Sequence, residues 1–105
     1  MIAINQLRKY YEGDAVFLTA HAAERFRQRG ITMKDVKNAV MHGEIIEQYP
    51  DDYPYLSCLI LGASVMHKYM HVVMSDEGTA SRIITAYFPD PMKWDFDFRK
   101  RKDGV

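Results

Sequence analysis

Between Glu44 and Phe88 the chain offers four runs rich in β-branched and aromatic residues, joined by segments too short to carry a crossover. The runs are Glu44–Tyr49, Tyr55–Leu61, Tyr69–Ser75 and Ser81–Phe88, divided by Pro50-Asp51-Asp52, Gly62-Ala63-Ser64 and Asp76-Glu77-Gly78. Parallel neighbours need connections of roughly a dozen residues or more, so these strands are expected to pair antiparallel, as a four-stranded meander. Leu59-Ile60-Leu61 and Val72-Val73-Met74 lack polar alternation, which predicts central strands covered on both faces.

Helical signals precede the sheet. Ile4, Leu7 and Tyr11 recur at helical spacing over residues 3–12, without a good capping residue in front. Thr19 as N-cap, strong helix formers from Ala20 to Arg29 and Gly30 as terminator predict a helix over 20–29. Thr32 and Asp35 have capping-box spacing, Ile31 is placed to pack on Val36, and Gly43 closes a helix over 33–42. The expected fold class is therefore α+β, with N-terminal helices packed on the meander as one domain over 1–105. Pro89-Asp90-Pro91 breaks regular structure, and the end carrying Trp94, Phe96 and Phe98 is expected to pack loosely on the sheet.

A hydrophobic share of 48% is too high for a disordered chain, and the single cysteine, Cys58, sits in an apolar run as a reduced core residue would. With charge and aromatics at the N-terminus and no span-length apolar segment, the expected setting is the cytoplasm, with no membrane partner. Lys plus Arg balance Asp plus Glu at 14 each, so any anion site must be local. Basic residues cluster at Arg25, Arg27 and Arg29, and again over Arg99–Lys102.

His21, Arg25 and Arg29 follow one another at spacings of four and four, which lines them along one stripe of the second helix. Guanidinium groups grip phosphate oxygens in a bidentate fork, and imidazole exchanges a proton near neutrality, so the stripe suits a phosphodiester. His71 interrupts an apolar strand, Lys68 precedes it, and Arg82 and Tyr87 lie on the next strand, within reach if register and face agree. The same residues also fit plainer roles: a solvated helix face, a hydrogen-bonded core histidine and a core tyrosine with a wet hydroxyl. The sequence leaves both open. No metal site is expected, because His67 and His71 on one strand would stand roughly 13 Å apart. Walker, dinucleotide and GxSxG motifs are missing, so no cofactor is expected.

The string His21-Ala22-Ala23-Glu24-Arg25-Phe26-Arg27-Gln28-Arg29-Gly30-Ile31 resembles the opening motif, H-A-x-x-R-x-x-x-R-G-I, of the bacterial domain of unknown function 4258 family. Arg82-Ile83-Ile84-Thr85-Ala86-Tyr87-Phe88-Pro89-Asp90 resembles its closing strand, and the likeness covers roughly Leu18 to Trp94. That family is similar to RelE-like and MqsR-like toxin ribonucleases of the barnase, EndoU, colicin and RelE fold group. The resemblance implies a RelE-like fold and a metal-independent endoribonuclease of a toxin–antitoxin system, with RNA and a small antitoxin as partners. It makes His21 and His71 candidates for proton transfer and Arg25, Arg29 and Arg82 for phosphate stabilisation. Tyr87 becomes a candidate for leaving-group protonation or base stacking, and Lys68 for holding the RNA backbone. The neutral overall charge departs from the basic RelE-like toxins. Two rivals of a different class remain: a non-catalytic module binding a protein partner through Tyr53, Tyr55 and Trp94, and a structural homodimer joined at a sheet edge.

Overall fold

A computed structural model describes residues 1–102. These form α1 (Ile4–Glu12), β1 (Val16–Leu18), α2 (Ala20–Arg29), α3 (Met33–His42), β2 (Glu44–Tyr49), β3 (Ser57–Ala63), β4 (Tyr69–Ser75) and β5 (Ser81–Tyr87).

Local chemistry accounts for the helix ends. The Thr19 hydroxyl accepts a bond from the Ala22 amide at 3.0 Å, and Gly30 closes α2 in the left-handed region at φ 69°. Thr32 and Asp35 form the expected capping box, and the second Asp35 carboxylate oxygen accepts from the Val65 amide at 3.0 Å, tying the start of α3 to the β3–β4 turn. Burial pushes the Asp35 carboxyl up, but the bonds from Thr32 and Val65 outweigh it and hold its pKa below the ordinary value. α1 begins at Ala3 with no side-chain cap.

The sheet corrects the expectation of four antiparallel strands. It has five, in the order β1-β5-β4-β3-β2, and β1 pairs parallel with β5, Val16 facing Ser81 and Leu18 facing Ile83. Three residues are too few to show strand periodicity, so β1 is invisible until β5 stands beside it. The parallel pair has the length of chain it needs, because α2, α3 and strands β2 to β4 lie between the two strands. β2 to β5 do run as the antiparallel meander read from the short connections, with bulges near Ile45–Glu47 and Val73–Met74.

β3 starts at Ser57 rather than Tyr55 and runs on through Gly62 and Ala63, which had looked like a turn. Gly62 is in the strand because α3 crosses there: a Cβ on it would stand 2.6 Å from the Ala39 Cα and closer still to the Ala39 carbonyl oxygen. Gly43 is confined in the same way, between Ala39 and the β3 backbone. The turn is instead Ser64–Lys68, closed by backbone bonds from the Ser64 amide to the Lys68 carbonyl and from the His67 amide to the Ser64 carbonyl, and carrying His67 at φ 66°.

One face of the sheet is covered by the helices. Cys58, Ile60, Met70, Val72, Met74, Ile83 and Ala86 join Leu7, Phe26, Val36, Ala39 and Val40 in a continuous buried core. Burial pushes the Cys58 thiol up to about 12, which makes it an inert core residue. On the opposite face Leu59, Leu61 and His71 are buried too, as the unbroken apolar runs foretold. Their cover includes the segment after β5, which packs more tightly than expected. Trp94 is buried and pairs through its backbone with Arg101, while Phe96 stays in solvent.

The α3–β3 approach generates a prediction. Gly62→Ala must displace helix backbone and should cost about 1–3 kcal/mol, the range for overpacking, whereas Gly30→Ala meets open space and carries only a left-handed backbone penalty of about 1 kcal/mol. Urea denaturation midpoints of the two variants should fall in that order.

Candidate functional site

Strand alternation puts Met70 and Val72 into the helix-facing core, so His71 between them must project from the other face of β4. In register it lies between Leu61 of β3 and Tyr87 of β5. The imidazole has no solvent exposure. Its edge meets the Trp94 ring at 4.4 Å and the Tyr87 ring at 5.3 Å between centroids, both near perpendicular.

The hydrogen bonds decide the tautomer. His71 Nε2 lies 2.9 Å from the Phe98 carbonyl oxygen, which can only accept, so Nε2 carries the proton. In the neutral ring Nδ1 is then an acceptor, and the Tyr87 hydroxyl, 3.3 Å away, donates to it. The result is a three-part chain: a carbonyl orients an imidazole, and the imidazole stands behind a phenol. At 3.3 Å the phenol bond is long, with room to tighten. Burial lowers the His71 pKa, opposed by the Phe98 carbonyl and the Glu47 charge, so near neutral pH the ring is uncharged and able to accept a proton.

Charged groups surround this pair. Glu47 on β2 accepts from the Tyr49 hydroxyl and from Arg101, whose Nη2 and Nε stand 3.2 and 3.3 Å from its two oxygens. Burial raises the Glu47 pKa, but these bonds and the Arg101 charge bring it below its usual value. The Arg101 guanidinium also lies 4.7 Å above the Trp94 ring. Tyr87 is half-buried at the end of β5; burial raises its pKa, while Arg101 and Arg29 pull it down and Glu47 adds to the rise.

Arg29 reaches this end for a reason rooted in the sheet. β1 accompanies β5 only as far as Ile83, which leaves the carbonyl of Ala86 without a β1 partner. Arg29 Nη1 takes that place, donating to the Ala86 carbonyl at 2.8 Å and to the Thr85 hydroxyl at 3.1 Å. Of the His21–Arg25–Arg29 stripe, this last member alone touches the sheet in this way. His21 and Arg25 are exposed, and helical rise sets them roughly 12 and 6 Å back along α2 from Arg29.

The remaining sequence candidates divide. Lys68 stays near the Tyr87 end, its amine 4.5 Å from the centroid of the Phe88 ring. Arg82 is at the far end of β5, paired with Glu77 at 2.9 Å and roughly 16 Å from Tyr87 by strand rise. Of the aromatics proposed to meet a partner, Tyr53 and Tyr55 are exposed but Trp94 is buried against His71. Glu47, Tyr49 and the Phe98 carbonyl were not singled out from sequence, and Arg101 was noted only as one of the basic cluster over 99–102. No motif links them, and only the fold of the C-terminal segment brings them to β2 and β4.

These features define an α+β domain with helices on one sheet face and a buried histidine bonded to a half-buried tyrosine on the other. Residues 18–88 match the family described as Domain of unknown function (DUF4258), more than half of the chain, and the protein belongs to that family. The match takes in His21, Arg25, Arg29, Lys68, His71, Arg82 and Tyr87, whereas α1 and the segment with Trp94, Phe98 and Arg101 lie outside it. No curated protein and no solved structure matches the chain. Among the described residues no helix is long and apolar enough to cross a membrane.

The buried imidazole makes stability pH-dependent. Its folded pKa lies below its unfolded value, so the fold binds fewer protons there, and His71 contributes stability that is full above about pH 6.5 and is lost as pH falls through the folded pKa. The urea midpoint should therefore drop between about pH 7.5 and about pH 5.5, before the carboxylates titrate. Emission from Trp94, the single tryptophan, should change at a pH below the ordinary imidazole value, as the folded His71 ring against it gains charge. A flat midpoint across that window would contradict the assignment.

Proposed function

We propose that this protein is a metal-independent endoribonuclease of the toxin type, with Tyr87, His71 and Arg29 at its centre. The observation that carries the reading is the Tyr87 hydroxyl, half-buried where β5 outruns β1, donating to a neutral imidazole and lying within the field of Arg29 and Arg101. A phenol backed by a base can relay a proton in either direction, and the Arg29 guanidinium favours an anion beside it, while Glu47 offsets the Arg101 charge.

In this reading a ribose 2′-hydroxyl attacks the adjacent phosphorus. Its proton passes to the Tyr87 oxygen as the Tyr87 proton moves to His71 Nδ1. The new O–P bond closes a cyclic phosphate while the bond from phosphorus to the 5′-oxygen breaks, and the proton held on His71 returns through the Tyr87 hydroxyl to that oxygen, which leaves as a free hydroxyl. Arg29 balances charge on the crowded phosphate. Arg25 and His21, further back along α2, would hold flanking phosphates, and Lys68 the backbone beyond; Arg82 is too distant to take part in the same step. A small antitoxin belongs to this reading as the partner that would restrain such an activity.

Purified protein with RNA in EDTA should yield fragments ending in cyclic phosphate. Tyr87→Phe should lower the rate by roughly 10²-fold or more, the scale of a lost acid–base group, and Arg29→Gln should also slow it while Trp94 emission reports an intact fold. Intact RNA with the wild-type protein, or full activity in Tyr87→Phe, would remove the proposal.

A further inference from the structure

At the opposite end of β5 from Tyr87, the loop 50–56 stands over the sheet and leaves a groove of about 390 Å³, at the small end of the range for ligand pockets. Its walls are Tyr53, Tyr55 and Ile84, which are 95%, 46% and 45% exposed. Phe17 of β1 is next to it: Phe17 and Arg82 are register partners, so they share a face, and Phe17 is 48% exposed. Apolar groups gathered like this on one face are what an interface needs before its partner arrives, whereas single exposed side chains would need no explanation.

The charges say what kind of partner. Asp52, Glu77 and Arg82 line the groove, and Arg82 is already paired with Glu77. That leaves a net negative charge, which opposes a phosphate. The faces of Tyr53 and Tyr55 suit a cation or a flat apolar group. β1 is the last strand of the sheet, so the extended backbone beside the groove has no strand partner on its outer side.

We infer that this groove docks an extended segment of a protein partner, one that places an apolar side chain between Tyr53, Tyr55 and Ile84 and a lysine or arginine against Asp52. The site is separate from the Tyr87 centre and does not depend on the ribonuclease reading. Tyrosine rings and an arginine around a groove that a partner would close off from water are the composition of binding hot spots, and the acidic rim would speed encounter with a basic segment.

The test uses a displayed library of random 12-residue peptides selected on the full chain, followed by affinity measurement of the enriched peptides as synthetic compounds. The expected result is enrichment of sequences combining aliphatic or aromatic residues with Lys or Arg. Their affinity should weaken at least tenfold in a Tyr53→Ala/Tyr55→Ala variant, and also in Asp52→Asn or at raised salt. The two tyrosine rings are solvent-facing, so the double variant should keep its fold, which Trp94 emission checks. The inference is overturned by no enrichment, by acidic peptides, or by peptides that bind the double variant equally well. It is equally overturned if light scattering shows a dimer that the double variant dissolves, or if an oligouridylate rather than a peptide occupies the groove. None of these outcomes depends on whether the protein cuts RNA.

Discussion

A histidine shut off from water on the far face of β4 is the constraint around which the second half of this molecule is arranged. A buried imidazole must satisfy two nitrogens, and in doing so it recruits the Phe98 carbonyl from one side and the Tyr87 hydroxyl from the other. The carbonyl can reach only if the chain folds back over the sheet after β5. Trp94 then covers the ring, and Arg101 settles between Trp94 and Glu47. The ion pair of Arg99 with Glu44 is half-exposed on both sides, and such pairs contribute little, whereas Glu47 in the two-bond pair with Arg101 is only 24% exposed. The cover is held chiefly by the burial of Trp94 and by the bonds to His71.

The family match gives that arrangement a second meaning. It ends at residue 88, so the histidine and tyrosine belong to the shared domain while the Trp94–Arg101 cover lies beyond it. In this chain the orienting carbonyl and one of the two guanidinium groups near Tyr87 therefore come from outside the shared domain. The other, Arg29, lies inside it and is fixed by an unrelated need, the unpaired carbonyl where β5 outruns β1. A residue that satisfies the sheet edge thus also places a positive charge beside the phenol.

The two ends of β5 have opposite characters. Near Tyr87 the phenol is half-buried and feels Arg29 and an Arg101 charge offset by Glu47; near Arg82 the surroundings are open, aromatic and acidic. A chain with no net charge can still present both, because the Arg and Lys side chains are spread unevenly over the fold. One anionic ligand and one basic partner could then be received on the same strand without competing for the same groups.

Much of the fold was legible in the residues because it rests on local rules. Thr19, Gly30, Thr32 and Asp35 mark helix ends through bonds to their own neighbours, and short connections force antiparallel pairing whatever surrounds them. The apolar runs in β3 and β4 announced a sheet covered twice. What sequence reading missed depends on partners distant in the chain. β1 is a strand only because β5 lies beside it, and Gly62 reads as a turn until α3 is seen to need the space of its missing Cβ. The candidate site divides the same way: residue types and helical spacing drew attention to His71, Tyr87 and the arginine stripe, but periodicity cannot say which stripe member meets the sheet. Which arginine reached Tyr87, and which carbonyl fixed the imidazole, was decided by where β1 ends and how the chain returns after β5. Those are properties of the packed molecule, since a hydrogen bond between residues 56 or 57 positions apart leaves no local trace.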